Sequence, residues 1–171
     1  MASLWIIDAY NFIRQSRRFS ALEAEQGSLG RSAALRWLGD FSLRTGERVC
    51  VVFDAYSGLQ REPLESHVHG LTVLASRGGY TADEEIIALA KEKGQAAVVV
   101  SSDREVLDAA MKAGVSVLKS EEFEREVAKI LEGAPEREEA EARDRRRPGK
   151  GSAFRPPKEK KKALAILKKY Q

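Results

Sequence analysis

The apolar residues of this chain alternate between short continuous runs and longer stretches in which they recur every three or four positions. Short runs of this kind predict buried strands, whereas the longer spacing predicts amphipathic helices. Their alternation predicts parallel strands joined by crossover helices, which is the α/β class of fold. The predicted strands cover residues 4–7, 49–53, 71–75, 97–101 and 115–118, and the predicted helices cover residues 28–44, 83–93, 105–113 and 121–131.

Two regions do not follow this alternation. Residues 55–70 contain Gly58 and Pro63 without a clear period, so we predict a loop that becomes ordered over a substrate. From Gly133 onward charge runs replace the apolar pattern, and such a stretch cannot build a core. Helical spacing returns only over residues 159–170, in a segment able to fold on a partner or to dock on the body. We therefore divide the chain into a domain at residues 1–132 and a basic C-terminal extension at residues 133–171.

Composition limits the chain to a few classes of protein. Its 171 residues, of which 43% are hydrophobic, are enough for one core. The start, MASLWIIDAY, reaches an aspartate after four apolar residues, so we expect no signal peptide and no membrane anchor, and a cytoplasmic location. The single cysteine, Cys50, lies inside an apolar run and is interpreted as a core residue. His67 and His69 form an H-x-H pair without nearby cysteines, too weak a pattern to assign to metal or to catalysis.

The charge is distributed unevenly between the two parts of the chain. Residues 133–171 hold 13 Lys and Arg against 6 Asp and Glu, a net +7, and this leaves −4 for residues 1–132 out of a total of +3. An acidic body that binds a polyanion needs cations at its site and basic side chains beside it. The basic extension therefore predicts a nucleic acid as the partner.

Four aspartates stand where predicted strands end or predicted helices begin: Asp8, Asp54, Asp83 and Asp103. In an open parallel sheet the carboxyl ends of the strands form one edge, so these side chains should converge at the topological switch point. Clustered carboxylates raise one another's pKa unless cations neutralise them, and Mg²⁺ or Mn²⁺ prefer such oxygen ligands. Asn11, the only asparagine of the chain, follows Asp8 by three residues, where its amide could orient a metal-bound water or contact a phosphate.

A purely local explanation is equally open for two of the four aspartates. The sequences T-A-D-E and S-D-R-E fit the capping-box pattern, in which Asp83 and Asp103 would only help to begin a helix. Asp8 and Asp54 each follow a buried strand, and no clear helix follows them at once. For these two residues the pattern therefore favours a functional role.

The blocks IIDAYNFI, VVFDAY, TADEEIIALA and VVVSSDREVLDAAMKAGVSVL resemble, in order and spacing, the NYN domain of the YacP-like group, a branch of the PIN-like nucleases. The resemblance covers about residues 4–131. It implies a Rossmann-like (PIN-like) parallel sheet of about five strands with helices on both faces, and metal-dependent cleavage of RNA. Ala9 and Ala55 stand where glycine is expected, and Glu84 where a second aspartate is common. By position, the residues that match the family's site are Asp8, Asn11, Asp54, Asp83 and Asp103, with Ser102 and Arg104 flanking the last acid.

We therefore expect an endoribonuclease that hydrolyses phosphodiester bonds of single-stranded RNA, with mRNA or ribosome-associated RNA as substrate and the ribosome as a further candidate partner. The four aspartates would hold Mg²⁺ or Mn²⁺, and no oligomeric state follows from the sequence. Tyr56 and Tyr80 are additional candidates for stacking on bases. The predicted substrate contacts are Ser102, Arg104, Tyr10, Arg145, Arg146 and Arg147.

The main alternative is a non-catalytic RNA-binding or ribosome-associated adaptor on a nuclease fold, whose basic extension supplies the affinity. Two other α/β classes fit less well. Lys119 at the end of the last strand suggests a phospho-accepting receiver domain, but a receiver has adjacent acids after its first strand and here Ala9 follows Asp8. A phosphatase of the haloacid type requires D-x-D where this chain has D-A-Y.

Overall fold

Strands and helices alternate along the chain as the apolar pattern predicts. The structure is a computed structural model and describes residues 2–55, 64–133 and 158–171. The strands are β1 Leu4–Asp8, β2 Arg48–Phe53, β3 Leu64–Val68, β4 Leu71–Ala75, β5 Ala97–Val100 and β6 Ser116–Leu118. The helices are α1 Ala9–Gln15, α2 Arg17–Glu25, α3 Leu29–Thr45, α4 Ala82–Lys93, α5 Arg104–Lys112, α6 Ser120–Glu132 and α7 Lys158–Lys168.

The described strands form one sheet in the order β3-β4-β2-β1-β5-β6. Every neighbouring pair is parallel except β3 and β4, which are antiparallel. From the central β1 the chain builds outward to β2 and β4 on one side, and later to β5 and β6 on the other. The direction of winding therefore changes between β1 and β5, which is where open sheets of this kind bind ligands.

Alternate side chains of the strands pack under two layers of helices. On one face Ile7 and Val51 belong to a core shared with α1, α2, α3, α6 and α7. On the other face Ile6 and Val52 pack with α4 and α5. The predicted α/β sheet with helices on both faces is confirmed. No helix of the described ranges is long and apolar enough to cross a membrane.

The sequence prediction missed one strand and two helices. Residues 55–70 were predicted to be a loop, but within them β3 pairs with β4 at the sheet edge, and its side chains are almost all exposed. Because an exposed edge strand buries no alternate face, its hydrophobic pattern is weak. The helices α1 and α2 were also not predicted, and α1 begins directly after Asp8. The prediction that no helix follows Asp8 is therefore wrong.

The last helix docks on the body, which is one of the two possibilities left open by its sequence. Ala163 and Leu167 are fully buried in the same core as α1, α3 and α6. The hydroxyl of Tyr170 donates to Glu47 Oε1 at 2.6 Å. Helix α7 is therefore held by both apolar packing and hydrogen bonding.

Candidate functional site

The acids gather at the carboxyl edge of the sheet, on the face covered by α4 and α5. Asp8 ends β1, Asp54 follows β2, and Ser101 follows β5. Successive side chains of a strand point to opposite faces, so each of these three shares its face with the residue two positions earlier. Those earlier residues all pack in the α4–α5 core: Ile6, Val52 and Val99.

Asp8 is buried among like charges. Only 6% of its surface is exposed, and Ser101 Oγ donates to its Oδ2 at 2.9 Å. Burial raises the pKa of Asp8 from 3.8 to about 6, the hydrogen bond from Ser101 opposes this, and the charges of Asp83 and Asp54 raise it further. The ionised carboxylate is therefore held at a cost that a nearby cation would relieve.

Asp54 and Asp83 meet at the beginning of α4. Asp54 Oδ1 accepts a hydrogen bond of 2.6 Å from the backbone N–H of Ala82, the first residue of the helix. The capping box of α4 is made by Thr81 and Glu84, through bonds of 2.8 and 3.2 Å between each side chain and the other's backbone. Asp83 takes no part in it, so capping does not explain this aspartate.

Asp83 and Asp103 influence each other electrostatically. Burial raises the pKa of Asp83, and the charges of Asp103 and Asp54 add to that effect. Asp103 also caps α5, because its Oδ1 accepts from the backbone N–H of Glu105 at 2.8 Å and of Val106 at 3.4 Å. The capping interpretation thus holds for Asp103, while its other oxygen has no hydrogen bond within the described ranges.

The acids do not form a closed cage of metal ligands. Across residues 2–55, 64–133 and 158–171, no three Asp, Glu, His or Cys side chains lie close enough together to hold one ion. Zinc sites take three or four protein ligands, whereas Mg²⁺ usually keeps several waters and binds one or two carboxylates. The donor set therefore fits a hydrated Mg²⁺ or Mn²⁺ and does not fit zinc.

Asn11 and Ser102, predicted to face water or phosphate, also join three elements beside the acids. Asn11 Oδ1 accepts from the backbone N–H of Ser102 at 2.7 Å and from Ser120 Oγ at 2.8 Å. Ser102 Oγ accepts from the backbone N–H of Ser120 at 3.1 Å and donates to Glu121. The amide NH₂ of Asn11 has no partner in the described part of the chain, which leaves it for a phosphate or a water.

The other predicted substrate contacts differ in how exposed they are. Tyr10 is partly buried and packs edge-on against Phe53, with ring centroids 5.5 Å apart. The side chain of Arg104 is 93% exposed and has a 3.8 Å ion pair with Asp108, one turn further along α5. Tyr10 is therefore a packing residue in this structure, and Arg104 extends into solvent. Tyr56, Arg145, Arg146 and Arg147 lie outside the described residues.

Sequence reasoning missed Ser101 as a site residue. It is completely buried, donates to Asp8, and its Oγ accepts from the backbone N–H of Asp103 at 3.1 Å. A single hydroxyl thus connects the carboxylate of Asp8, at the end of β1, with the backbone of Asp103, after β5. The only signal in the sequence was a polar residue directly after the apolar run AVVV.

An exposed aromatic side chain flanks the site in the loop before α4. Tyr80 is 48% exposed, and the guanidinium of Arg77 lies 4.6 Å from its ring centroid. Arg77 is fixed in turn by two hydrogen bonds, of 2.7 and 3.0 Å, to the buried Glu85. Tyr80 is therefore held in place with its ring accessible, as a surface on which a base can stack.

Comparison with known proteins gives one family. The YacP-like NYN domain matches residues 5–168 of this chain. A protein of Bacillus subtilis (strain 168) described as uncharacterized protein YacP is 31% identical over 88 residues. That stretch covers 50% of this chain and 50% of the relative, so the match extends over about half of the relative's length.

Two crystal structures of Rae1 (YacP) from Bacillus subtilis have a similar fold, each with a TM-score of 0.61. One is 28% identical in sequence, and the alignment covers 83% of this chain and 79% of that one. The other, a W164L mutant, is 24% identical, with 82% of this chain and 89% of that one covered, and this likeness concerns the fold alone.

Proposed function

This chain belongs to the YacP-like NYN domain family, whose domains are nucleases, and on that basis we propose that it is a metal-dependent endoribonuclease acting on single-stranded RNA. The observation that carries the proposal is the environment of Asp8. This buried carboxylate has neighbouring acids, Asp83 and Asp54, and no basic partner among the described residues. Burying a carboxylate next to like charges costs stability, and a bound cation would compensate for that cost.

The proposed ligands are Asp8, Asp54, Asp83 and Asp103. Each hydrated cation would be held by one or two of them, because no three acids of the described ranges lie close enough to hold one ion. Mg²⁺ or Mn²⁺ bound there would supply a water of lowered pKa and would stabilise charge on the scissile phosphate. Ser101 is proposed as a positioning residue, because its hydroxyl holds Asp8 and the backbone of Asp103 at the same time. The NH₂ group of Asn11 would donate to a phosphate oxygen, while its Oδ1 keeps α1 attached to Ser102.

The proposed substrate is a single strand because the site lies at an open edge of the sheet with an exposed aromatic beside it. Bases of single-stranded RNA are free to stack on aromatic side chains, and Tyr80 is the described residue best placed for this. The same proposal includes an mRNA or ribosome-associated RNA as the target, the ribosome as a partner and the cytoplasm as the location. It also includes phosphate contacts by Arg104, Arg145, Arg146 and Arg147.

The test is cleavage of a labelled single-stranded RNA by the full chain in Mg²⁺ or Mn²⁺, compared with EDTA. Asp8→Asn should lower the cleavage rate by about 100-fold or more, because it removes a charge that stabilises the cation. Asp40→Asn is the matched control, since Asp40 is an exposed residue of α3. Thermal melting of both variants establishes that they are folded.

Two results would contradict the proposal. Cleavage by Asp8→Asn at the rate of the unsubstituted protein would remove the acids from the reaction. Binding of RNA without cleavage in either metal would instead favour the non-catalytic adaptor, the second candidate function.

A further inference from the structure

The layer formed by α1, α2 and α3 is basic, although the body that carries it is acidic. Residues 9–45 contain 6 Arg against 3 Asp and Glu, a net +3, whereas residues 1–132 together carry −4. Three arginines of α1 and α2 are exposed: Arg14, Arg17 and Arg18. The rest of the body is therefore more acidic still, and the body's positive charge is concentrated in these three helices, where Arg18 is paired with Glu132 of α6 at 3.2 Å.

Arg31, in the first turn of α3, stacks on the residue that precedes an acid of the site. Its guanidinium carbon lies 4.0 Å from the centroid of the Phe53 ring, and Phe53 directly precedes Asp54. No ion pair of Arg31 occurs within the described ranges. A guanidinium stacked on an aromatic ring keeps its N–H groups in the plane, where they can donate to a phosphate.

The beginning of α3 is fixed against α2, which keeps Arg31 in place. A side chain at Gly30 would put its Cβ 2.4 Å from the carbonyl oxygen of Phe19, so only glycine permits this approach. The backbone N–H of Arg31 donates to Glu23 Oε2 at 3.0 Å. The backbone of Arg31 is therefore fixed, and its guanidinium is held by the stacking on Phe53.

At the carboxyl edge of the sheet, this arginine lies on the face covered by α1 and α3, and the acids lie on the face covered by α4 and α5. Phe53 packs in the core under α1 and α3, whereas Asp54 faces α4 and bonds to its first turn. Tyr10 packs on Phe53, and the guanidinium of Arg14 lies 5.9 Å from the Tyr10 ring centroid. Arg31 and Arg14 therefore lie against the same pair of packed rings, each of which is within two positions of an acid of the site in the sequence.

We propose that Arg31 and Arg14 bind backbone phosphates of single-stranded RNA immediately next to the scissile phosphodiester. This inference rests on the proposed function, which supplies the identity of the polyanion. The acids would then hold the reacting phosphate through cations, while the two arginines neutralise its neighbours directly. Such a contact is electrostatic and independent of base sequence, so it should depend on salt.

The experiment measures the affinity of the full chain for a fluorescent single-stranded RNA by anisotropy, in Mg²⁺ over a series of salt concentrations. All proteins carry Asp8→Asn so that the RNA stays intact. Arg31→Gln should weaken binding by roughly threefold, and Arg14→Gln with Arg31→Gln by roughly tenfold, as for exposed ionic contacts. Each arginine that no longer neutralises a phosphate should lower the slope of log affinity against log salt by about 0.7.

Two further variants separate charge from structure. Arg48→Gln is the matched control, because Arg48 is exposed at the opposite end of β2, and it should leave affinity and slope unchanged. Arg31→Lys keeps the charge, so it should retain the slope. If Arg31→Gln binds like Arg48→Gln, or if Arg31→Lys lowers the slope as Arg31→Gln does, the inference is overturned.

The proposed function fails on a different result. Cleavage is measured in parallel on the protein without substitutions, and its result is independent of the binding measurements. If that protein leaves RNA intact while Arg31→Gln weakens binding, the nuclease is ruled out and the phosphate contact stands. If RNA is cut and Arg31→Gln binds normally, the nuclease stands and this inference is overturned.

Discussion

The amino and carboxyl edges of the sheet each contain a buried carboxylate, Glu47 and Asp8, in opposite electrostatic surroundings. At the amino edge Glu47 is 4% exposed, and at the carboxyl edge Asp8 is 6% exposed. Glu47 accepts hydrogen bonds from three groups: Ser3 N–H at 2.6 Å, Trp5 Nε1 at 3.3 Å and Tyr170 OH at 2.6 Å. Asp8 instead has the hydroxyl of Ser101, the backbone N–H of Asn11 and the repulsion of two other acids.

This difference shows how a structural carboxylate can be told from a functional one of equal burial. A buried charge that stabilises a fold is surrounded by donors, as Glu47 is, and it links elements distant in sequence. A buried carboxylate whose donors do not offset burial and like charges is destabilising by itself, and this is typical of sites where a pKa is perturbed for function. The amino edge should therefore determine stability, and the carboxyl edge should determine activity.

The largest expected effect on stability comes from loosening the helix that covers the amino edge. Leu167→Ala should lower the free energy of unfolding by about 2–5 kcal/mol, because it leaves a cavity in a fully buried position. Chemical denaturation measures this decrease. Leu43→Ala is the matched control, since Leu43 is 87% exposed, and it should change the free energy by less than about 0.5 kcal/mol.

Cleavage must be measured on the same Leu167→Ala protein at a temperature where it is still folded. The rate per folded molecule should equal that of the unsubstituted protein, because Leu167 lies in the core and not at the acids. If the rate falls by more than the unfolded fraction explains, the amino edge also affects activity and the two edges are not separable.

Neutralising each carboxylate with its amide should change stability in opposite directions. Glu47→Gln should lower the free energy of unfolding by about 1–3 kcal/mol, because one of its three donors loses an acceptor. Asp8→Asn should raise it in metal-free buffer at neutral pH, because the repulsion from Asp83 and Asp54 disappears. If Asp8→Asn destabilises the protein as much as Glu47→Gln does, Asp8 is a structural residue.

Most of the fold could be predicted because the central strands are buried on both faces. The run VCVVF and the run AVVV are almost continuously apolar, so their positions are visible without any knowledge of pairing. The strand β3 was not visible, because it is defined by its backbone pairing with β4 and not by burial. The short helix α2 was missed for a similar reason, since Phe19 is its one buried residue.

The candidate site was predictable at the level of topology and not at the level of hydrogen bonds. The positions of Asp8 and Asp54 at strand ends follow from periodicity, because parallel strands end at one edge. Asn11 Oδ1 accepts a hydrogen bond from Ser120, which lies 109 positions away in the sequence. No local pattern contains that contact, and the same is true of the stacking of Arg31 on Phe53.

The pH dependence of stability should distinguish the two edges by roughly 2 kcal/mol. The pKa of Asp8 is raised from 3.8 to about 6, so the folded state binds this proton more tightly than the unfolded chain does. Its contribution to stability is complete below pH 3.8 and is lost as the pH rises through about 6. Unfolding in EDTA between pH 4 and pH 7 should therefore show a decline that Asp8→Asn lacks.

The test uses the difference in free energy of unfolding between the unsubstituted protein and Asp8→Asn, because the other carboxylates affect both proteins alike. Salt-bridged acids such as Glu85, whose pKa is lowered by the hydrogen bond from Arg77, act in the opposite direction. Adding Mg²⁺ at pH 7 should stabilise the unsubstituted protein more than Asp8→Asn. Equal stabilisation of the two would place the cation away from Asp8.

The smallest expected effect tests one hydrogen bond at the amino edge against a matched residue at the other edge. Tyr170→Phe removes the hydroxyl that donates to Glu47, so the free energy of unfolding should fall by about 1 kcal/mol. The decrease is modest because Glu47 keeps two donors. Tyr80→Phe, at the carboxyl edge, removes a hydroxyl that has no hydrogen bond within the described ranges, and it should cost less than about 0.5 kcal/mol. Equal effects would mean that the 2.6 Å bond of Tyr170 adds nothing to the docking of α7.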